Sequence, residues 1–396
     1  MIDVLTVFGT RPEAIKLAPV IAELRSRGGE IRTHICVTAQ HRSMLDQVME
    51  WFGITPDFDL GLMEPDQDLC DFAGRAFPAI GGVLDRVQAD TVLVQGDTTT
   101  AMVAALAAFY RGVPVGHVEA GLRTRDMRNP FPEELNRRVV GVAASYHFAP
   151  TPRAAKALLD EQIPADRIFI TGNTVIDALE MTLARPVAVE LPCDMGDERI
   201  LLVTAHRRES FGRPLEAMCR ALRRLAERNP NIRIVYPVHL NPKVREPVNR
   251  ILKGHPRIHL IEPLRYEQFV HLMARAYLIL TDSGGIQEEA PFLHKPALVM
   301  RDTTERPEAI EAGTAQLVGT SETHIVEWCE RLLEQGPEYE RMSRGGSPFG
   351  DGRASGRIVD VLLGKAAQTE FFCPGKPAIH RNTREVLCDV HGEPGT

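Results

Sequence analysis

The chain has 396 residues, of which 44% are hydrophobic and 25% are charged, and its formal net charge is -7 at pH 7. This composition is typical of a folded globular protein of about two domains, and it argues against a largely disordered chain. Because 53 acidic residues face 46 basic ones, it also argues against a nucleic-acid binder that relies on a broad basic surface.

The sequence shows neither a targeting signal nor a membrane-spanning segment. The N-terminus lacks the basic segment and apolar core of a signal peptide. The apolar run at residues 101–110 is far shorter than the ~20 residues that cross a bilayer. The seven cysteines are scattered without a C-x-x-C pair, as expected for reduced thiols, so we expect neither a zinc site nor another metal. We therefore expect a cytoplasmic protein without a membrane segment.

Strand-like and helical patterns alternate along the first half of the chain. The sequence TRPE at residues 10–13 has the form of a capping box with proline at the first helical position, which predicts a helix to about residue 27. Strands are predicted at residues 2–8, 31–37, 91–94, 113–118, 145–149 and 167–171, and helices at 42–51 and 98–110. Continuous apolar strands that alternate with helices indicate a parallel sheet covered on both faces.

Residues 178–198 interrupt this alternation with Pro186, Pro192 and Gly196, which predicts a linker. Strands are then predicted near residues 200–204, 232–238, 258–261, 277–281 and 297–300. We expect two doubly wound, Rossmann-like α/β domains, residues 1–177 and 199–350, with a cleft between them. A last helix within 351–364 is followed by residues 365–396, a tail rich in Pro, Gly and charge in which we expect little fixed structure.

Two segments that follow predicted strands are suited to bind anions. The first is GTRPEAIK at residues 9–16, where a glycine turn leads into a helix N-terminus and Arg11 and Lys16 add positive charge. The alternative is a capped helix with two surface cations. The absence of a G-x-G-x-x-G pattern gives a dinucleotide site little support.

The second anion-binding segment is DSGGIQEE at residues 282–289. Gly284 and Gly285 let backbone N–H groups approach a diphosphate, and the helix dipole favours its charge. A carboxylate one turn into that helix can accept the two hydroxyls of a ribose. The alternative is a helix N-terminus with exposed acids. The two segments together indicate a nucleotide diphosphate held between two domains.

Several carboxylates also stand at strand ends. Asp97 is open to two interpretations, a helix N-cap or a catalytic group. For Glu119, directly after an apolar strand, a function is favoured because burying an acid is costly without a partner or a task. Taken alone, Glu133 and Glu134 are best explained as acids in the first turn of a helix, where the helix dipole favours negative charge.

Histidines follow the strands of the second domain. His206 stands beside Arg207 and Arg208 at a strand end, which fits a phosphate clamp with one titratable member, although a lone histidine is more often structural. His239 is a weaker case of the same kind. The charged segment 301–308 follows a buried strand and is expected to line the cleft.

These segments resemble the non-hydrolysing UDP-N-acetylglucosamine 2-epimerases. The resemblance runs in order from residue 1 to about 364. It is carried by GTRPEAIK at 9–16, TAQHR at 38–42, GDTTT at 96–100, GHVEAGLRT at 116–124, HRRES at 206–210, TDSGGIQEEAP at 281–291 and RDTTERPE at 301–308.

The resemblance implies a GT-B-type arrangement with the active site in the interdomain cleft and the C-terminal helix packed back on the first domain. It implies interconversion of UDP-N-acetylglucosamine and UDP-N-acetylmannosamine without a cofactor, in a homodimer, for cell-surface polysaccharide. Residues around the sugar and the diphosphate would be Arg11, Lys16, Asp97, Glu119, Glu133 and His206. Residues binding UDP would be Phe269, Ser283, Gly284, Gly285, Glu289 and Arg306, and a second, activating site would use Gln40 and His239.

Four alternatives compete with this function. They are a hydrolysing epimerase, an epimerase of a more decorated UDP-2-acetamido sugar, a GT-B glycosyltransferase and a non-catalytic UDP-sugar sensor. A glycosyltransferase would need an acceptor groove, whereas three strand-end acids are better explained by proton transfer. A sensor that has lost catalysis would not need all four of these residues, and the sequence keeps Asp97, Glu119, Glu133 and His206.

Overall fold

The computed structural model describes residues 1–39, 42–64, 67–189, 191, 198–334 and 336–374. These residues form two compact α/β units. The first unit is Met1–Met181 together with the chain from Phe349 onward, and the second is Thr182–Pro348. Of the predicted linker, residues 178–183 lie in a helix, and residues 190 and 192–197 are outside the described residues.

The first unit is built on a parallel sheet that has seven strands within the described residues. The strands are β1 (Ile2–Phe8), β2 (Ile31–Val37), β3 (Phe58–Asp59), β4 (Thr91–Gln95), β5 (Val115–Val118), β6 (Tyr146–Ala149) and β7 (Ile168–Ile170). Their order is β3-β2-β1-β4-β5-β6-β7, so the direction of winding reverses between β1 and β4. In open α/β sheets, ligands bind at the carboxyl ends of the strands beside this reversal.

Helices cover both faces of this sheet. They are α1 (Arg11–Ser26), α2 (Arg42–Phe52), α3 (Leu69–Val87), α4 (Thr99–Phe109), α5 (Glu133–Ala143), α6 (Pro152–Asp160) and α7 (Thr174–Leu183). At the start of α1, Glu13 accepts backbone hydrogen bonds from Gly9 at 3.0 Å and Thr10 at 2.8 Å. This is the contact that the capping-box pattern predicts, because the glutamate satisfies N–H groups that have no partner within the helix.

The second unit repeats the plan with a parallel sheet of six described strands. They are β8 (Arg199–Thr204), β9 (Ile232–Pro237), β10 (Ile258–Ile261), β11 (Leu278–Thr281), β12 (Ala297–Val299) and β13 (Ala315–Leu317). The helices are α8 (Arg213–Arg228), α9 (Pro242–Leu252), α10 (Tyr266–Arg275), α11 (Gly284–Phe292), α12 (Pro307–Glu311), α13 (Glu322–Leu333) and α14 (Pro337–Arg344). The order β10-β9-β8-β11-β12-β13 places the reversal between β8 and β11.

The last helix, α15 (Ala354–Leu362), belongs to the first unit and packs against α1. The expectation of little fixed structure from residue 365 does not hold for residues 365–374. Phe371 and Phe372 are each only 5% exposed, and the N–H of Phe372 donates to the carbonyl oxygen of Ile170 at 2.9 Å. Burial of two aromatic rings outweighs the Pro- and charge-rich composition locally. Residues 375–396 lie outside the described residues.

The expected fold class is confirmed, since each unit is a doubly wound, Rossmann-like α/β structure with an all-parallel sheet. The strands are buried on both faces: β4 and β5 are buried along their whole length, as their continuous apolar sequences predict. Among the described residues, every helix is too short or too polar to traverse a bilayer.

Candidate active site

In the first unit, Glu119 is held by side chains from three other segments. It follows β5 and forms an ion pair with Lys16 of α1. Gln95, at the end of β4, donates to its Oε2 atom, and Asn173, after β7, donates to its Oε1 atom at 3.3 Å. The side chain of Glu119 is 7% exposed and that of Lys16 is 14% exposed. The Lys16 ammonium therefore stabilises a carboxylate that is almost removed from water.

The backbone of Glu119 is strained. Its φ angle is +66°, a left-handed conformation that is unfavourable for a residue with a Cβ atom. Such conformations cost of order ~1–3 kcal/mol and persist where the surrounding structure enforces them, often at functional sites. The strain and the three partners together mark Glu119 as a functional candidate.

Asp97 lies next to Glu119, at the end of β4. Gly96, with φ +69°, makes the turn, and Arg137 of α5 forms an ion pair with the Asp97 carboxylate. The amide of Asn136 donates to the Asp97 carbonyl oxygen at 2.9 Å. Desolvation raises the pKa of Asp97, the negative charge of Glu119 adds to this, and Arg137 opposes it. The helix N-cap is Thr98, whose hydroxyl accepts from Ala101, so the N-cap interpretation of Asp97 is wrong.

The two neighbouring glutamates of α5 have different environments in the structure. Glu134 is fully buried, accepts from the backbone of Thr124 and Arg125 at 3.0 and 3.2 Å, and is paired with Arg137. It therefore holds the preceding loop. Glu133, at the first position of α5, has a buried Oε2 atom without a hydrogen-bond partner among the described residues. A buried carboxylate oxygen without a donor is costly, so Glu133 is the one of the pair available to a ligand.

The segment 9–16 joins two strand ends of this unit. Besides its bonds to Gly9 and Thr10, Glu13 accepts from the hydroxyl of Thr98 at 2.7 Å. Its side chain is buried, and desolvation raises its pKa to about 7. Glu13 thus links the turn that carries Arg11, which is half-buried, to the turn that carries Asp97.

In the second unit, Asp282 organises the segment after β8. Its Oδ2 atom accepts the backbone N–H groups of His206 and Arg207, each at 2.8 Å. Its Oδ1 atom lies 3.4 Å from Nδ1 of His206, whose side chain is 40% exposed. The His206 ring stacks on His239, with 5.7 Å between ring centroids. Burial lowers the pKa of His206, and the charge of Asp282 opposes that effect.

The N-terminus of α11 begins with two residues that carry no side chain, Gly284 and Gly285. A Cβ atom on Gly284 would come no closer than 3.5 Å to Arg207, and one on Gly285 no closer than 3.9 Å to Ser283. Neither glycine has a positive φ angle, so the described chain does not itself require glycine there. Because there are no side chains at these two positions, an anion could approach the N–H groups of the first turn closely.

The remaining predicted residues lie on several different elements. Glu288 is 1% exposed and pairs with Arg306, while Glu289 is 7% exposed on the same turn. Phe269 is half-buried on α10, and His239 is exposed. Gln40 lies outside the described residues. In the ranges that the structure describes, no three His, Cys, Asp or Glu side chains cluster as metal ligands would.

The structure brings Lys16, Asp97 and Glu119 together at the carboxyl ends of β1, β4 and β5. Sequence reasoning missed their partners Gln95, Asn173 and Arg137, and it missed the contact between Asp282 and His206. Gln95 could have been found, because it is a polar residue at the end of an apolar strand. Arg137, on a helix rich in charge, carries no such signal.

One doubly wound unit carries acidic groups at its strand ends, and the other carries a glycine-rich helix N-terminus. This combination is typical of enzymes that act on nucleotide-linked substrates. Residues 22–363 match the family described as UDP-N-acetylglucosamine 2-epimerase. The chain is 54% identical over 368 residues to the UDP-N-acetylglucosamine 2-epimerase of Escherichia coli K12, covering 91% of this chain and 98% of that protein. The chain therefore belongs to the UDP-N-acetylglucosamine 2-epimerase family, a family of isomerases.

Solved structures agree with this assignment. The UDP-GlcNAc 2-epimerase of Neisseria meningitidis, in a crystal structure bound to UDP-GlcNAc, is 47% identical with a TM-score of 0.84, over 91% of this chain and 100% of that chain. A protein of Listeria monocytogenes described as a UDP-N-acetylglucosamine 2-epimerase is 44% identical with a TM-score of 0.88, over 96% of this chain and 100% of that chain.

Proposed function

We propose that the chain interconverts UDP-N-acetylglucosamine and UDP-N-acetylmannosamine by reversible, non-hydrolytic epimerisation at C2. The observation that carries the proposal is the juxtaposition of Asp97 and Glu119 at neighbouring strand ends, each beside a cation from a different helix. Desolvation raises the pKa of Asp97 against the opposing charge of Arg137, and the nearby Glu119 charge adds to the rise. Glu119 faces the Lys16 ammonium, which stabilises its charged form. Two titratable groups with environments that differ in this way are suited to act as acid and base.

The chemistry needs such a pair because the C2 proton of the substrate is not adjacent to a carbonyl group. In the proposed reaction a carboxylate removes the C2 proton as the C1–O bond breaks and its electron pair leaves with UDP. The product of this step is a 2-acetamidoglucal with a C1=C2 double bond. UDP then adds back to C1 while a second acid delivers a proton to the other face of C2. Base and acid must therefore act on opposite faces of the sugar.

Glu133 is the third carboxylate that can take part. Its buried, unpartnered Oε2 atom has no contact within the described chain that would assign it a purely structural role. A hydroxyl or an amide N–H group of the sugar would satisfy that oxygen. The proposed catalytic set is therefore Asp97, Glu119 and Glu133, with His206 of the second unit.

For the nucleotide, we assign the diphosphate to the N-terminus of α11 and to the cationic residues predicted from the sequence. The support is the absence of side chains at Gly284 and Gly285, where a Cβ atom would meet no atom closer than 3.5 Å. Charge that develops on departing UDP would be stabilised by the backbone N–H groups there, by Arg11 and Lys16, and by His206 once its ring carries a proton on both nitrogens. Ser283, Glu289, Arg306 and Phe269 complete the proposed UDP-binding set. The Neisseria relative, crystallised with UDP-GlcNAc, supports this class of ligand.

Proton NMR of UDP-N-acetylglucosamine with the enzyme in D2O tests the proposal. UDP-N-acetylmannosamine that carries deuterium at C2 is expected, because the abstracted proton exchanges with solvent. Free N-acetylmannosamine with UDP would instead identify a hydrolysing epimerase. A substrate that binds unchanged would favour a sensor or an enzyme for a more decorated UDP-2-acetamido sugar.

We further propose that the product supplies N-acetylmannosamine-type units for cell-surface polysaccharide. We also propose that the enzyme is a homodimer. A third proposal is that Gln40 and His239 bind an activating UDP-sugar. Sedimentation at several concentrations tests the dimer. A sigmoidal dependence of rate on substrate concentration that becomes hyperbolic in His239→Ala is expected for the activating site.

A further inference from the structure

The backbone around His206 is fixed by groups from two neighbouring strands. The hydroxyl of Tyr236, in β9, donates to the carbonyl oxygen of Ala205 at 2.8 Å. Asp282, directly after β11, accepts the N–H groups of His206 and Arg207. Three consecutive residues are thus tied by hydrogen bonds to side chains that are themselves buried. The ring of His206 consequently projects from a rigid backbone.

The second carboxylate oxygen of Asp282 is not used in this way. Asp282 is fully buried, and its Oδ1 atom has no hydrogen-bond partner within the described residues. Nδ1 of His206 lies 3.4 Å from it. Leaving a buried carboxylate oxygen without a hydrogen-bond donor costs about 1–3 kcal/mol or more. The state in which Nδ1 of His206 carries a proton is therefore favoured over the state in which it carries none, because only the protonated nitrogen can donate to Asp282. Contacts of this kind are often long without substrate and shorten when it binds.

We propose that Asp282 is a positioning residue for His206, keeping the proton of the neutral ring on Nδ1 and leaving Nε2 free to exchange a proton with the bound nucleotide sugar. The ring has two nitrogens, and the partner of one decides the state of the other. Asp282 faces Nδ1, and His239 stacks on the face of the ring. The catalytic consequence rests on the proposed function, whereas the tautomer does not.

Asp282→Asn is the decisive variant. An asparagine oxygen can accept the same two backbone N–H groups, but its NH2 group would then face Nδ1 of His206 and donate to it. The ring is expected to change from the Nδ1–H to the Nε2–H tautomer. This is measured by 1H–15N correlation spectra of protein labelled with 15N-histidine, in which the His206 signals are assigned by their loss in His206→Gln. An Nε2–H ring in the wild type, or the same tautomer in both proteins, would overturn the proposal.

Kinetics supply the second readout. For Asp282→Asn we expect kcat to fall by about 10²-fold, the scale of one acid–base group, while the Kd for UDP changes less than about threefold. A kcat that stays near the wild-type value would also overturn the proposal. It would show that catalysis needs only the two backbone hydrogen bonds at this position, which the asparagine still accepts. If the wild type fails to turn over UDP-N-acetylglucosamine, the proposed function fails, and the tautomer and UDP binding still decide the role of Asp282.

Tyr236→Phe is the matched control. It removes a hydrogen bond to the same backbone segment without changing any group that faces the imidazole ring. We expect it to lower the free energy of unfolding while His206 keeps its Nδ1–H tautomer. A change of tautomer in Tyr236→Phe as well would assign the effect to loosening of the segment and would count against Asp282.

Discussion

Lys16 and Glu119 are 103 positions apart in the chain and form an ion pair that joins α1 to the end of β5. The pair is nearly buried, so each charge depends on the other for its stability. The sequence places the lysine in an anion-binding segment and the glutamate at a strand end. The contact itself follows from the adjacency of β1, β4 and β5 in the sheet.

Lys16→Met is expected to lower both stability and activity. Breaking a buried pair leaves an uncompensated charge and costs about 3–5 kcal/mol in the free energy of unfolding. Loss of the ammonium group should lower kcat/KM by about 10²-fold or more. Chemical denaturation and turnover of UDP-N-acetylglucosamine measure the two effects.

Lys156→Met is the control for this variant. Lys156 pairs with Asp160 at 3.1 Å, but the two side chains are 52% and 46% exposed. Exposed pairs contribute at most about 1 kcal/mol, and we expect no loss of activity. Equal stability and equal activity of the two variants would contradict the role given to the Lys16–Glu119 pair.

Asp97→Asn and Glu119→Gln test the acid–base assignment. Each substitution keeps the shape of the side chain and removes its ability to take or give a proton. Conversion of the sugar should be abolished in both, while UDP binding, measured by calorimetry, should survive. Turnover close to the wild-type rate in both variants would eliminate these carboxylates as the proton-transfer groups.

Glu13 should make stability depend on pH. Its pKa in the folded chain is raised from 4.5 to about 7, so between these values the folded state binds more protons than the unfolded state. The contribution of Glu13 to the free energy of unfolding therefore falls as the pH rises from about 4.5 to 7. A pKa shift of this size corresponds to about 3 kcal/mol in the free energy of unfolding.

Glu13→Gln isolates that effect, because a glutamine can still accept from Gly9 and Thr10 but does not titrate. The difference in unfolding free energy between wild type and variant, measured from pH 4.5 to pH 8, should shift against the wild type as the pH rises. A difference that is constant over this range would show that Glu13 titrates near its ordinary pKa.

Phe372→Ala tests the segment after α15. The ring is 5% exposed and packs in a cluster with Leu158, Ile168 and Ile170. Truncating a buried phenylalanine costs about 3–5 kcal/mol, which should appear as a lower midpoint of denaturation. Phe109→Ala is the control, since Phe109 is 57% exposed and its removal should have little effect. Equal midpoints in the two variants would show that the segment does not stabilise the unit.

Much of the fold could be predicted from the sequence, because period and flanking residues were unambiguous. The strands at Ile31–Val37 and Ile258–Ile261 have the predicted limits, and most others agree to within two residues. The strands Phe58–Asp59 and Ala315–Leu317 were missed, since two or three residues are too few to show a period. The packing of Phe371 and Phe372 was missed because composition alone does not show where an aromatic pair finds a partner surface.

The candidate site was predictable where residues stand directly after strands, as Asp97, Glu119 and His206 do. The residues that hold them come from elsewhere in the chain. Arg137 reaches Asp97 from a helix, and Asn173 reaches Glu119 from beyond β7. Such contacts depend on the order of strands in the sheet, which periodicity does not specify.

The hydrogen bond from Phe372 to Ile170 also affects how the chain behaves toward other chains. β7 is the edge strand on its side of the described sheet. An edge strand has unpaired backbone N–H and C=O groups, which can form hydrogen bonds with strands of other chains. The segment after α15 occupies part of that edge and places two aromatic rings over it. A protein shortened to end at α15 would therefore be expected to aggregate during expression, even where its catalytic groups are intact.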